Sequence, residues 1–179
     1  MRVFIALEVP DAVKDSIEAA SAGLDFGGVV FVKRDAMHVT LQFLGELGDR
    51  EAGLAADAMR GVSAAPFGVR LRGLSCFSPG FVKVIFAKVD EGAEELSGLY
   101  LKLGDALSEK GLDFGRGTYT PHLTVARVRG AADRKGILCA IEERAETDFG
   151  SFEAESVVLK KSVLTADGPV YTDLYKLEF

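Results

Sequence analysis

Apolar and polar positions along the chain repeat with two periods, and these set the expected elements. Val3 to Val9 is an apolar run with enough branched and aromatic residues for a buried strand, and Pro10-Asp11 ends it and opens a helix over Ala12 to Ala22. Val29 to Val32 reads as a short strand. His38 to Leu44 alternates as a strand does, with Gly45 and Gly48 as punctuation after it. Glu51 to Val62 has helical composition, after which Phe67 to Phe77 and Phe81 to Val89 form a hairpin around the turn Ser78-Pro79-Gly80. Ala93 to Lys110 spaces Leu96, Leu99, Tyr100, Leu103 and Leu107 at the period of an amphipathic helix that Gly111 caps. Gly115 to Thr120 is loop, Pro121 opens a strand from His122 to Val128, and Ala131 to Ala145 is a fourth helix with Ile137, Leu138 and Ile141 inward. Strands near Phe149–Phe152, Ser156–Thr165 and Val170–Phe179 close the chain, the last two separated by Asp167-Gly168-Pro169.

This order, about seven to nine strands and four helices, predicts an α+β fold with antiparallel pairing rather than a doubly wound sheet. No Pro/Ser-rich linker or low-complexity segment divides the chain, so residues 1–179 read as one compact domain. With 48% hydrophobic residues, the 179-residue chain can bury a core without disulfide or metal staples. Its net charge of −6 argues against a protein that coats nucleic acid by charge neutralisation, although local basic patches remain open to it. Cys76 and Cys139 stand far apart with no CxxC, which fits neither a zinc knuckle nor a dithiol motif; two buried free thiols in a reducing compartment are expected. The N-terminal apolar run is too short for a signal segment, and no stretch approaches the ~20 apolar residues of a membrane span. A soluble cytoplasmic protein without membrane attachment is the expectation.

The two histidines change the picture most. His38 begins His-Val-Thr-Leu and His122 begins His-Leu-Thr-Val. With only seven Thr in the chain, a Thr two places after both histidines arises by chance on the order of one time in several hundred. On a strand, positions i and i+2 share a face, so each motif presents one imidazole and one hydroxyl while its apolar residues face the core. Two lobes facing each other across a cleft bring both pairs to one site. Such a site suits phosphodiester chemistry: one neutral imidazole takes a proton from water, a protonated one gives a proton to the leaving oxygen, and the hydroxyls of Thr40 and Thr124 donate to non-bridging phosphate oxygens. The same residues make a poor zinc site, and neither HxH nor HExxH spacing is present, so no metal or other cofactor is expected.

These motifs, with the opening RVFIAL (Arg2 to Leu7), HVTLQFLGEL (His38 to Leu47), TPHLTVARVRG (Thr120 to Gly130) and the tail SVLTADGPVYTDLYKLEF from Ser162, resemble the 2H phosphoesterases. Within that superfamily the chain is similar to the LigT-like RNA 2′,3′-cyclic phosphodiesterases, historically called 2′-5′ RNA ligases. The resemblance implies a bilobal α+β fold: two antiparallel sheets with flanking helices, related by a pseudo-twofold around a central cleft, one HxTx motif (38–41 and 122–125) in each lobe. It also implies metal-independent hydrolysis of a terminal RNA 2′,3′-cyclic phosphate to a 2′-phosphate, with some members joining or cleaving 2′-5′ linkages in tRNA halves. The catalytic pair then falls on His38 and His122 and the phosphate-binding hydroxyls on Thr40 and Thr124. Symmetry does not say which His is acid; family comparison favours His122 as base and His38 as acid. The Arg of the second block is Arg127, a candidate for the phosphate, and Phe43 is a candidate to stack on the terminal base. Each lies five residues after its His, an odd offset that puts it on the opposite face of a regular strand unless a bulge, a twist or the strand's end intervenes. The chain departs from the pattern in having Val30-Phe31-Val32 and no Trp before the first motif, and Val125 where Leu is common.

The expected substrates are RNA ends or nucleotides bearing a 2′,3′-cyclic phosphate, tRNA halves among them, handled by a monomer. Basic residues near the motifs offer RNA contacts: Lys33, Arg34, Arg70, Arg72, Lys83, Arg127, Arg129, Arg134 and Lys135. Rival readings are a 2′-5′ ligase or phosphodiesterase, an enzyme for another small cyclic nucleotide, a non-catalytic RNA- or nucleotide-binding module that keeps the cleft, and a metal-dependent hydrolase.

Overall fold

A computed structural model describes the chain except for residues 113, 116, 131 and 167. Its elements are β1 (Arg2–Glu8), α1 (Asp11–Ser21), β2 (Val29–Phe31), β3 (His38–Glu46), α2 (Asp49–Arg60), β4 (Phe67–Cys76), β5 (Val84–Glu91), α3 (Ala93–Glu109), β6 (His122–Val128), α4 (Arg134–Glu142), β7 (Asp148–Ala154), β8 (Ser156–Thr165) and β9 (Gly168–Glu178).

Every strand pairing is antiparallel. The strand order is β7-β4-β5-β6-β3-β1-β8-β9, with β2 paired to β6 beside the main path. Each expected sheet is present as a run leading outward from one motif strand, β6-β5-β4-β7 and β3-β1-β8-β9. One residue pair, Val39 opposite Leu123, joins the two into a continuous sheet.

Alternation along the strands decides which face is covered. In β3, Val39, Leu41 and Leu44 are buried, while His38 and Thr40 stay half-buried on the other side. The helices pack on the apolar face: α1 on β7, α3 on β3 and β5, α4 on β4, and α2 against α3 and β9. Leu96, Leu99, Leu103 and Leu107 of α3 are all buried, at the spacing that the sequence predicts. Burying each contributes on the order of 2 kcal/mol. The polar members of the motif strands are thereby left on the open face.

Four local expectations change. Helix α4 is shorter than the periodicity suggests because Asp133 caps it, its Oδ1 accepting the Gly136 N–H at 3.0 Å; the expected start, Ala131, lies outside the described residues. At its other end, the carbonyl of Arg144 accepts the Leu74 N–H at 3.0 Å, which draws the chain onto β4 beside Gly73. That approach needs glycine: Gly73 has φ +77°, and a Cβ there would come within 1.9 Å of the Ala145 carbonyl oxygen. Strand β5 begins at Val84 rather than Phe81, since the Phe81 N–H closes a turn onto the Ser78 carbonyl at 2.8 Å. The thiols are both free, but Cys76 is only half-buried and Cys139 is exposed, against the expectation of two buried cysteines. Of the expected Asp167-Gly168-Pro169 turn, Asp167 lies outside the described residues, and Thr165 faces Gly168 where β8 and β9 meet. Residue 116 of the expected 115–120 loop is likewise outside them. Among the described residues no helix is long and apolar enough to cross a membrane.

Candidate active site

The two motif strands touch at their central residues. Val39 and Leu123, each lying between its His and its Thr, form the one pair that joins β3 to β6, and both are fully buried. Continuing this antiparallel register by one residue sets His38 against Thr124 and Thr40 against His122. Beyond that point the strands diverge and leave a cleft of about 750 Å³. Its walls include His38, Thr40, Phe43, His122, Thr124 and Arg127, so all six residues singled out in the sequence share one cavity.

Phe43 and Arg127 arrive there through matching irregularities. Ile5 of β1 pairs with Gln42 and Ala6 with Thr40, so Leu41 is an extra residue in β3. Ile85 of β5 pairs with Ala126 and Phe86 with Thr124, so Val125 is an extra residue in β6. Each bulge falls three positions after its histidine and resets the alternation. Leu41 and Gln42 are consecutively buried, as are Val125 and Ala126, and the fifth residue after each His returns to the cleft face. Inward-turned Gln42 would be costly unpaired; its Nε2 donates to the Tyr100 carbonyl of α3 at 3.1 Å.

The imidazoles sit in different surroundings. His38 stacks on Phe4 with centroids 4.9 Å apart and meets Tyr171 edge-on at 5.5 Å. Burial pushes its pKa down to about 4; Glu8 opposes that shift, while Lys160 and Lys14 reinforce it. Glu8 faces His38 across the β1–β3 ladder and binds the buried Lys160 ammonium at 2.5 Å, and Asp173 binds the same ammonium at 2.6 Å. Burial disfavours the charge on Lys160, but the bonds to Asp173 and Glu8 outweigh it and hold the ammonium above its ordinary pKa. His122 meets Phe77 at 5.0 Å and Phe86 at 5.1 Å, both edge-on. Its Nδ1 lies 2.7 Å from the Thr120 carbonyl. A carbonyl only accepts, so Nδ1 carries a proton and the neutral ring offers the lone pair of Nε2.

Among the described residues the hydroxyls of Thr40 and Thr124 make no hydrogen bond, and Arg127, Arg129 and Lys33, all cleft-lining, make no ion pair. Of the other basic candidates, Lys135 is exposed, does not line the cleft and makes no ion pair among the described residues, and the rest are committed elsewhere. Arg34 binds Asp15 at 2.6 Å and Glu18 at 3.0 Å, Arg70 binds Asp148 at 2.5 Å, and Arg72 binds Glu146 at 2.9 Å. Arg134 donates to the Gly80 carbonyl, and Lys83 lies over the Phe81 ring. Gly28 fixes the β2 side of the cleft, its carbonyl accepting the Arg129 N–H at 2.8 Å. Its φ is +88°, and a Cβ would lie 2.3 Å from the Arg129 carbonyl oxygen. A smaller chamber of about 290 Å³ flanks His122, with Tyr100 and Tyr119 in its wall. Those two rings stack at 4.4 Å, and the Tyr119 hydroxyl donates to the Thr40 carbonyl at 3.2 Å, bracing one motif strand from the segment that leads into the other. Among the described residues no group of three or more His, Cys, Asp and Glu side chains converges as metal ligands do.

The family model for the 2′-5′ RNA ligase superfamily matches residues 9–163. The chain belongs to that superfamily. Among similar members, the RNA 2′,3′-cyclic phosphodiesterase of Methanothermobacter thermautotrophicus is 32% identical over 181 residues, covering 97% of this chain and 96% of the relative. The crystal structure of TT0787 from Thermus thermophilus superposes with a TM-score of 0.81 at 31% identity, covering 99% of this chain and 97% of the other. The structure of Escherichia coli LigT complexed with 3′-AMP gives a TM-score of 0.78 at 18% identity, covering 99% and 97%, and shares the fold.

For this 2′-5′ RNA ligase superfamily member, sequence reasoning left out the aromatic rings around each imidazole. Phe4, Phe77, Phe86 and Tyr171 come from β1, the segment after β4, β5 and β9. The opening and tail blocks contain Phe4 and Tyr171, but nothing local in either block points to a histidine more than 30 residues away.

Proposed function

We propose that the protein hydrolyses RNA 2′,3′-cyclic phosphate ends to 2′-phosphates by metal-independent acid–base catalysis. The observation that carries this reading is the joining of the two His-x-Thr tripeptides at Val39 and Leu123, which sets two imidazoles and two hydroxyls, without a hydrogen bond among the described residues, on one cleft. Similarity over 96% of the RNA 2′,3′-cyclic phosphodiesterase of Methanothermobacter thermautotrophicus supports the substrate.

In the proposed reaction, Nε2 of His122 takes a proton from a water that attacks phosphorus, and the bond from phosphorus to the 3′ oxygen breaks. His38 gives its proton to that oxygen, and the phosphate stays on the 2′ oxygen. Thr40 and Thr124 donate to the non-bridging oxygens, where charge accumulates in the transition state, and Arg127 adds a fixed cation. Phe43, 69% exposed at the cleft edge, stacks on the terminal base. Burial keeps His38 neutral in the free protein, so the acid role depends on the substrate's own negative charge to restore its proton. Both motif strands belong to one chain, which supports a monomer as the working unit. RNA ends such as those of cleaved tRNA are suitable substrates, and the cytoplasm, where they arise, is the proposed location.

Initial rates on a cyclic-phosphate dinucleotide test the assignment. Replacing either histidine with alanine should lower kcat by about 10²- to 10⁴-fold, the contribution of one positioned acid or base. Undiminished turnover by both variants would leave the site without its mechanism.

A further inference from the structure

Each histidine is flanked by two aromatic rings, one from the neighbouring strand and one from farther away. For His122 these are Phe86 of β5 and Phe77; for His38 they are Phe4 of β1 and Tyr171 of β9. The distant ring meets its imidazole nearly at right angles in both places, 86° for Phe77 and 76° for Tyr171. A plain phenyl ring therefore satisfies the packing beside His122. Beside His38 the same position carries a hydroxyl that packing does not require.

That hydroxyl has chemistry to spare. Tyr171 lines the cleft and is half-buried, yet among the described residues its hydroxyl makes no hydrogen bond. It feels the positive charges of Arg127, from β6 on the other side of the cleft, and of Lys160 on β8. Burial pushes the phenol above its ordinary pKa despite those cations, so at neutral pH it is a donor. A half-buried donor that meets an imidazole edge-on and shares the cleft with a guanidinium whose charge reaches it is suited to an anionic oxygen.

We propose that the Tyr171 hydroxyl is a substrate-binding donor, giving a hydrogen bond to a non-bridging phosphate oxygen held between Arg127 and His38. This rests on the cyclic phosphodiesterase reading for the identity of the phosphate. The motif strands then provide two of the phosphate's hydroxyl donors, and the C-terminal hairpin provides a third. The contact forms with the cyclic diester and persists with the 2′-phosphate product.

Tyr171→Phe keeps the ring against His38 and Phe4 and removes only the donor. A hydrogen bond to a charged group predicts a loss of about 10- to 100-fold in kcat/KM on a cyclic-phosphate dinucleotide, and weaker binding of a nucleoside 2′-monophosphate measured by calorimetry. Thermal unfolding of the variant should match the wild type, separating this loss from a folding defect. A Tyr171→Phe protein that turns over substrate and binds the 2′-monophosphate as the wild type does overturns the proposal, even where His38→Ala is inactive and the broader reading stands. If the wild type binds the monophosphate but hydrolyses no cyclic phosphate, the broader reading fails, and weaker binding by Tyr171→Phe still supports the donor.

Discussion

Acidification should expose the cost of burying His38. The folded ring has its pKa lowered from 6.5 to about 4, mainly by burial. In the unfolded chain the ring takes up a proton near its ordinary pKa, so between about pH 6.5 and pH 4 the unfolded state binds more protons than the folded one. The stability tied to the neutral ring is thus fully present above pH 6.5 and lost as the pH falls towards 4, a loss of about 3 kcal/mol at 1.36 kcal/mol per pH unit. Urea unfolding of the wild type and of His38→Gln, each at pH 7 and pH 4, isolates this loss, because the carboxylates titrate in both proteins. Proton NMR gives a second readout, since a chain with two histidines has two imidazole titrations to resolve. One should have its midpoint near pH 4 and move upward when a nucleoside 2′-phosphate binds. A unit negative charge about 4 Å away at an effective dielectric of 20 is worth about 4 kcal/mol, enough to offset the cost of burial. Two midpoints above pH 6 in the free protein, together with parallel pH dependence of the two unfolding curves, would refute the claim that His38 is held neutral.

Three further outcomes are expected. A cyclic phosphate with sulfur in place of the 3′ oxygen needs no acid to expel its leaving group, so this substrate should restore turnover to His38→Gln and not to His122→Gln; rescue in the reverse order exchanges the two roles. Phe43→Leu should raise KM for a cyclic-phosphate dinucleotide by about 5- to 100-fold with kcat little changed, the loss of one base stack worth ~1–3 kcal/mol, and unchanged steady-state constants would remove Phe43 from the base site. Gly28→Ala should cost about 1–3 kcal/mol, visible as a lower Tm, because alanine is strained at positive φ and its Cβ would meet the Arg129 carbonyl.

What the sequence reveals about this fold is mostly local. Helix α3 follows its leucine spacing, β6 begins and ends where alternation places it, and the tandem His-x-Thr pattern identifies strands whose polar face is uncovered. Long-range pairing was less legible. The join at Val39 and Leu123 depends on two segments more than 80 residues apart meeting at one pair, which no local period encodes. The bulges at Leu41 and Val125 were invisible for a related reason: an extra residue is defined only against the partner strand, and counting parity alone sends Phe43 and Arg127 to the wrong face. Basic residues show the same limit. Arg34 and Arg127 look equivalent beside their motifs, but Arg34 is held by Asp15 and Glu18 of α1 while Arg127 has no ion-pair partner among the described residues.

Phosphorus NMR on a dinucleotide ending in a 2′,3′-cyclic phosphate, followed with and without a strong chelator, tests the two-histidine account most directly. The account predicts replacement of the cyclic phosphate signal by that of a 2′-monophosphate alone, at a rate the chelator leaves unchanged, and loss of that conversion in the His38→Ala, His122→Ala double variant. Conversion that persists in the double variant, or that stops when chelator is added, contradicts it.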